Sequence, residues 1–175
     1  MKTITSNTKT YNIYHTYGKV ANSNKNMETK VHGGGGGNNT NVRISSTTIV
    51  HDHLFVIDNN GQEHSFQLQG FDLACREGNE IAVAWGIKQG GKKGPYFMVH
   101  NFTTNQTFYR TPILHMMLRY PVWMALLATL ASFYIMSING VLGTAIFLSV
   151  WIGWAVTANR AVKKFKSEIN FEEYK

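Results

Sequence analysis

The residues of this chain best suited to chemistry are the two histidines of the motif His51-Asp52-His53. Residues two positions apart on a strand point to the same face, and imidazole is a common zinc ligand. A third ligand is harder to supply, because the expected hairpin register separates His64 from His53 by about 13 Å along the strand. His100 could approach only through a strand order that the sequence does not specify. We therefore expect a packed or hydrogen-bonded histidine pair and no bound metal.

The other reactive side chains do not form a recognisable catalytic motif. The sequence has no nucleophile elbow, no Walker loop, no paired dinucleotide glycines and no Cys/His metal spacing. Asp72, Glu77 and Glu80 fall in predicted turns, where solvated charges are ordinary. The single cysteine, Cys75, rules out an intramolecular disulfide framework and is expected to be a small buried side chain. We expect a protein that is not an enzyme, with no catalytic residues and no cofactor.

The N-terminal region is expected to be disordered over residues 1 to 40. Residues 1 to 32 are rich in Asn, Thr, Lys and Tyr without a sustained apolar period, which predicts no packed core. Gly33 to Gly37 form an unbroken run that is typical of a flexible linker. A phosphate-binding glycine loop would need a strand before it and a helix after it, and neither is predicted here. The first residues also lack the apolar core of a cleaved signal peptide.

Residues 41 to 110 show short β-prone runs separated by turn residues, which predicts a small antiparallel barrel or sandwich of five to six strands. Two runs are expected over residues 42 to 50 and 53 to 57. Asn60-Gly61 is a strong hairpin signal. A two-residue turn there would pair Ile57 with His64 and Phe55 with Phe66. The core face of this hairpin would carry His53, Phe55, Ile57, His64, Phe66 and Leu68.

The chain between residues 121 and 158 contains no Asp, Glu, Lys or Arg. Two 18-residue apolar stretches, 121 to 138 and 141 to 158, would each span roughly 27 Å, which is close to the hydrocarbon thickness of a bilayer. Only Asn139-Gly140 separates them. The sequence therefore predicts a transmembrane helical hairpin over residues 121 to 159, preceded by an interfacial segment at residues 111 to 120 and followed by a basic tail at residues 160 to 175.

Basic residues flank the predicted hairpin at both of its outer ends, while the turn between the helices is uncharged. The positive-inside rule then places both chain ends, and the β domain, in the cytoplasm. Two tryptophans are expected at the same membrane surface as the basic residues. The predicted interface anchors are Arg119, Trp123, Trp154, Arg160, Lys163 and Lys164.

Small side chains recur every four residues in the second apolar stretch, at Ala145, Ser149 and Gly153. Such a stripe allows another helix to approach closely. It could pack against the first helix, which has a looser stripe of its own, or it could form a homo-oligomer; we expect the first arrangement. Neither stretch carries an ionisable residue, which argues against an ion-coupled transporter.

The net charge of +7 is compatible with an anionic lipid surface or with nucleic acid. The neighbouring membrane segment favours lipid, and the aromatic residues near Lys88, Lys92 and Lys93 are better placed in a core than on a stacking surface. The plan is similar to that of small bacterial membrane proteins that join a β domain to a short transmembrane segment. We expect an inner (plasma) membrane protein, a binding or regulatory module with an unknown protein partner; the alternative is a homo-oligomeric, channel-forming subunit.

Overall fold

The structure is a computed structural model that describes residues 2 to 6, 9 to 34 and 43 to 175. Seven strands come first in the chain and three helices follow. The strands are β1 (Lys2–Ser6), β2 (Lys9–Gly34), β3 (Arg43–Asp58), β4 (Glu63–Gln69), β5 (Glu80–Lys88), β6 (Tyr96–Asn101) and β7 (Gln106–Tyr109). The helices are α1 (Thr111–Leu118), α2 (Val122–Ile138) and α3 (Gly140–Glu168), with a final 3-10 helix at Phe171–Tyr174.

The strands form one curled antiparallel sheet in the order β4-β3-β2-β5-β6-β7, with β1 paired to β2. An antiparallel β fold followed by helices was expected, and that much is confirmed; the sheet is a half-barrel of seven described strands rather than a small barrel or sandwich of five to six. By its contacts the chain divides into two compact units. The helical unit comprises Met1–Tyr14, Trp85–Phe97 and Thr111–Phe171, and the strand unit comprises His15–Ala84, Met98–Arg110 and Glu172–Lys175.

The prediction of disorder near the N-terminus is wrong for residues 2 to 6 and 9 to 34, which are strands. Tyr11 and Ile13 alternate with polar residues and are 6% and 2% exposed, so this part of β2 has a core-facing side. Farther along, most side chains from Asn22 to Gly33 are exposed, and β3 supplies their hydrogen-bonding partner strand. The predicted linker was Gly33 to Gly37; Gly33 and Gly34 belong to β2, and residues 35 to 37 lie outside the described residues.

The β3–β4 hairpin has a different register from the one that the sequence suggested. Residues 43 to 58 form one continuous strand, and Leu54 pairs with Phe66 while Val56 pairs with His64. The loop holds three residues, because the Asp58 N–H donates to the Gln62 carbonyl at 2.9 Å. Relative to the predicted register, this one-residue shift places every side chain of β3 on the opposite face of the sheet. The buried residues are therefore Asp52, Leu54 and Val56, and the predicted core residues His53, Phe55 and Ile57 lie on the other face.

The side chain of Asp58 and the backbone conformation of Gly61 explain why the longer loop forms. Asp58 Oδ1 accepts hydrogen bonds from the backbone N–H groups of Asn60 at 2.8 Å and Gln62 at 2.9 Å. Gly61 has a φ of +79°, the left-handed conformation that closes a three-residue loop. The Asn-Gly signal thus identified the turn, and the carboxylate two residues earlier selects its length.

Among the described residues, α3 is the helix that is long and apolar enough to cross a membrane. Helices α1 and α2 together pass the same test as one span bent by 65°. The bend falls at Pro121, which precedes α2 with a ψ of 137°. The structure thus shows one candidate span and one bent pair.

Helices α2 and α3 pack side by side along their length. A single residue, Asn139, joins them; its N–H donates to the Ile135 carbonyl at 2.8 Å, and its side chain accepts from the Leu142 N–H at 3.1 Å. The Phe133 and Phe147 rings lie 5.8 Å apart farther along the pair. Residues progressively farther from Asn139 on either side therefore meet each other, so the helices run antiparallel.

Candidate membrane-facing site

The charged residues are divided unevenly between the two units. The helical unit contains ten Lys and Arg residues and one acidic residue, Glu168. The strand unit contains the remaining seven Lys and Arg against nine Asp and Glu. The basic excess of the whole chain therefore belongs entirely to the helical unit, which the sequence read in linear order did not reveal.

The outer surface of α2 and α3 is apolar on almost every side. The most apolar 18-residue stretch of α3 is only 11% buried, whereas the core helix of a soluble protein would be largely covered. Fourteen large apolar side chains on the two helices are exposed, which is far more than a monomeric soluble surface usually shows. They are Val122, Trp123, Met124, Leu126, Leu127, Leu130, Phe133, Tyr134, Ile138, Val141, Leu142, Leu148, Ile152 and Val156.

The hydroxyl groups within this apolar segment are all satisfied inside their own helices. Six Ser and Thr residues lie between positions 121 and 158, and each donates to a backbone carbonyl three or four residues earlier, at 2.6 to 3.0 Å. A hydroxyl bonded in this way needs no water. The six are Thr129, Ser132, Ser137, Thr144, Ser149 and Thr157.

The break between α1 and α2 is held to α3 by one tryptophan. Trp154 Nε1 donates to the Tyr120 carbonyl at 3.3 Å, and the Arg119 guanidinium carbon lies 5.3 Å from the centre of the Trp154 ring. The first contact satisfies a carbonyl at the helix break, and the second is a cation–π interaction. Trp154 is therefore level with the start of α2.

Lys9 brings a second positive charge to the same place. Its ammonium donates to the Met116 carbonyl, in the last turn of α1, at 3.1 Å. The pKa of Lys9 lies below its usual value because the ammonium is partly removed from solvent, and because Arg119 and Lys88 repel its charge. Arg119 and Lys88 therefore both lie near Lys9, and the Gln89 N–H, next to Lys88, donates to the Thr10 carbonyl, next to Lys9, at 2.9 Å. Sequence reasoning missed Lys9, since it lies in the stretch that was expected to be disordered.

An open apolar groove of about 300 Å³ lies between α2 and α3 next to this cationic cluster. Its walls begin at Tyr120 and Trp154 and continue through Ala128 and Val150. Gly153 lies in the groove, and a methyl group built on it would meet nothing within 4 Å. The full lining is Tyr120, Met124, Ala125, Ala128, Val150, Gly153, Trp154 and Thr157.

The other predicted anchors are exposed. Trp123 is 58% exposed in the first turn of α2. Arg160, Lys163 and Lys164 lie on the continuation of α3, beyond the apolar stretch, and Lys164 forms an ion pair with Glu168 at 3.8 Å. The part of the chain that was expected to be a basic tail is thus helical up to Glu168.

The small-residue stripe Ala145, Ser149 and Gly153 was expected to pack against the first helix. All three residues are exposed, so that expectation is wrong as to which residues form the contact. The close approach occurs at Gly143, where a Cβ would overlap the backbone of Met136. The buried residues of α2 are Ala125 and Ser132, both of which are small.

The strand unit contains a small polar pocket of about 110 Å³ beside Asp52 and Cys75. Asp52 is 3% exposed; it accepts from the Leu73 N–H at 3.3 Å, and Lys25 Nζ lies 3.9 Å away. Burial raises the pKa of the Cys75 thiol, which keeps it protonated at neutral pH and makes it a poor nucleophile. Lys25 also forms a 2.7 Å ion pair with Asp72, so the positive charge at the pocket is partly neutralised by a carboxylate of the same unit.

The two histidines of His51-Asp52-His53 contact different side chains. His51 Nε2 lies 3.2 Å from a carboxylate oxygen of Glu28, and His53 packs edge-on against Phe55 with ring centres 6.3 Å apart. Within the described ranges, no three His, Cys, Asp or Glu side chains are grouped to hold a metal ion.

Comparison of the chain with protein-family models, with curated protein sequences and with solved structures finds no match. The fold defines the chain only broadly, as a curled antiparallel β sheet followed by apolar helices.

Proposed function

We propose that this protein is a membrane-anchored binding or regulatory module without enzymatic activity, and that α2 and α3 cross the bilayer as a two-helix hairpin. The observation that carries the proposal is the apolar exterior of the helix pair, which the two helices leave uncovered. Water would make this exterior an aggregation site, whereas lipid makes it a favourable surface. The internally bonded hydroxyl groups support the same environment.

The basic residues give the proposed hairpin its orientation. Arg119 precedes α2, and Arg160, Lys163 and Lys164 follow the apolar part of α3, while Asn139 at the turn is uncharged. By the positive-inside rule the turn faces away from the cytoplasm and both chain ends face it. The β sheet then lies in the cytoplasm, where an unidentified protein partner would meet it, and nucleic acid is not the expected partner.

The sole cysteine makes this topology easy to test. In a Cys75→Ser background, Gly140→Cys places a thiol at the turn, where an added side chain meets nothing within 4 Å. Lys30→Cys places a matched thiol on an exposed position of β2. We expect a membrane-impermeant maleimide to label position 140 in intact cells and position 30 only after permeabilisation. Recovery of the protein in the soluble fraction, or equal labelling of both positions in intact cells, would refute the proposal.

A second candidate function is a homo-oligomeric, channel-forming subunit. The observation that favours it is the exposed stripe Ala145, Ser149 and Gly153, which α2 leaves free for another helix. Cross-linking of the full-length protein in membranes separates the two candidates. Discrete oligomers together with ion leakage would support the channel, and a monomer alone would rule it out.

A further inference from the structure

Three cations of the helical unit lack an acidic partner of their own. Among the described residues, no carboxylate lies within ion-pair distance of Lys9, Lys88 or Arg119, and the one acidic residue of the unit, Glu168, pairs with Lys164. Like charges held close together cost free energy unless an anion joins them. The contacts of Lys9 with the Met116 carbonyl and of Arg119 with the Trp154 ring keep two of these cations in place.

The surroundings of these cations are amphipathic. Arg119 is followed directly by Tyr120, whose carbonyl accepts the hydrogen bond from the Trp154 indole. Tyr120 and Trp154 both line the apolar groove. From Tyr120 to Ala128 the groove follows α2 for about 12 Å. A soluble anion could use the cations and would leave the groove empty. A molecule with a phosphate at one end and a hydrocarbon chain at the other would use both.

We propose that the helical unit binds one anionic phospholipid, with its phosphate against Lys9, Lys88 and Arg119 and one acyl chain in the groove between α2 and α3. Arginine and lysine form strong charge-assisted hydrogen bonds with phosphate oxygens. Trp154 lies at the junction, where its indole N–H is already bonded and its ring faces the guanidinium. The site rests on the proposed membrane function, because the lipid reaches it from a bilayer.

Native mass spectrometry of the full-length protein, titrated with phosphatidylglycerol or phosphatidylcholine, tests the headgroup contacts. We expect one phosphatidylglycerol to bind at least tenfold more tightly than phosphatidylcholine. The Lys9→Gln, Arg119→Gln double variant should lose most of this preference, at about tenfold for each charge-assisted hydrogen bond lost. Glutamine at position 9 keeps an N–H donor for the Met116 carbonyl, so the fold should persist. A Lys92→Gln, Lys93→Gln variant removes equal charge from exposed positions of the same unit and should stay within about twofold of the unaltered protein.

The groove is tested separately by filling it. Gly153→Leu places a side chain in the groove without a clash at its Cβ, and we expect it to weaken phosphatidylglycerol binding severalfold. Ala145→Leu is the matched control, because it adds a similar side chain at an exposed position of α3 outside the groove lining. It should leave lipid binding unchanged.

Each part of the proposed lipid site can be contradicted by a different result. Equal losses in the cluster and control charge variants would show diffuse attraction to the whole basic surface. Displacement of phosphatidylglycerol by inorganic phosphate at the same concentration as the lipid would show an anion site that does not use the groove. If the protein inserts into pure phosphatidylcholine vesicles but shows no headgroup preference, the lipid site fails and the membrane function stands. If it associates with no vesicle, the membrane function fails as well.

Discussion

Replacing Gly143 by alanine should separate α2 from α3 at the closest point of their contact. A Cβ at position 143 would overlap the Cα and N atoms of Met136. Backbone atoms cannot rotate away as the end of a flexible side chain can, so the whole helix must move. Gly153 provides the matched control on the same helix, since a Cβ there meets nothing within 4 Å.

The size of the effect follows from two opposing contributions. Alanine is favoured over glycine inside a helix by about 0.5–1 kcal/mol, and both variants gain this. Inserting a methyl group into a packed contact costs about 1–3 kcal/mol, and only the Gly143→Ala variant pays it. We therefore expect Gly153→Ala to be slightly stabilised, and Gly143→Ala to be less stable than Gly153→Ala by about 1–3 kcal/mol.

The measurement is reversible unfolding of the full-length protein in mixed micelles, with an increasing fraction of denaturing detergent, followed by tryptophan fluorescence. Trp151 and Trp154 lie on α3 with ring centres 6.0 Å apart, so they report on the helix pair. Equal midpoints for the two alanine variants would show that Gly143 is not the contact point. A Gly153→Ala variant that is the less stable of the two would show that α3 uses its other face.

Three further predictions concern single side chains. Burial lowers the pKa of His100 below its usual 6.5, so the folded state disfavours the imidazolium; stability should be full above pH 6.5 and fall on acidification, with Glu172 and Lys175 as the nearby charges, and His100→Gln should flatten the dependence seen in thermal melts. Hydrogen bonds from His64 and from the turn lower the pKa of Asp58, so its contribution should be full above the usual 3.8 and lost as the pH falls through the lowered pKa; Asp58→Asn should lower the melting temperature more at pH 7 than in strong acid. Asn139→Ala removes the side-chain acceptor at the start of α3 and should cost about 0.5–2 kcal/mol in the micelle unfolding assay, whereas Ser137→Ala, whose hydroxyl bonds within α2, should cost less.

The β3–β4 hairpin shows how far local sequence signals reach. Asn60-Gly61 correctly indicates the turn, because glycine tolerates the positive φ that both two- and three-residue loops require. The choice between those loops depends on the Asp58 side chain, which bonds the N–H groups of Asn60 and Gln62. Since side chains alternate along a strand, an error of one residue in the predicted register assigned every side chain of β3 to the wrong face of the sheet.

The N-terminal strand was missed for a different reason. Tyr11 and Ile13 do alternate with Asn12 and Tyr14, but the signal is short, and the surrounding Asn, Thr and Lys residues mask it. The second half of β2, whose side chains are mostly exposed, is held in place by backbone pairing with β3. Side-chain hydrophobicity gives no indication of that pairing. Because β2 was not predicted, the position of Lys9 was not predicted either. The cationic cluster that Lys9 forms with Lys88 and Arg119 was therefore missed.

The helix contact could not be predicted from residue types alone. Helix α3 is apolar on all sides over its first half, so no hydrophobic face distinguishes Gly143 from Gly153. Both glycines are small enough for close packing. Which one faces α2 depends on the one-residue connection at Asn139, which fixes the rotation of α3 relative to the helix before it.

Two properties of the helical unit must be explained together. A soluble protein partner could cover the apolar exterior of α2 and α3, but such cover would not account for ten basic residues against one acidic residue in the same unit. A nucleic acid would account for the charge and not for the exposed apolar helices. An anionic bilayer accounts for both, since its interior takes the helices and its headgroups take the cations. The strand unit, with two more acidic than basic residues, gains nothing from such a surface.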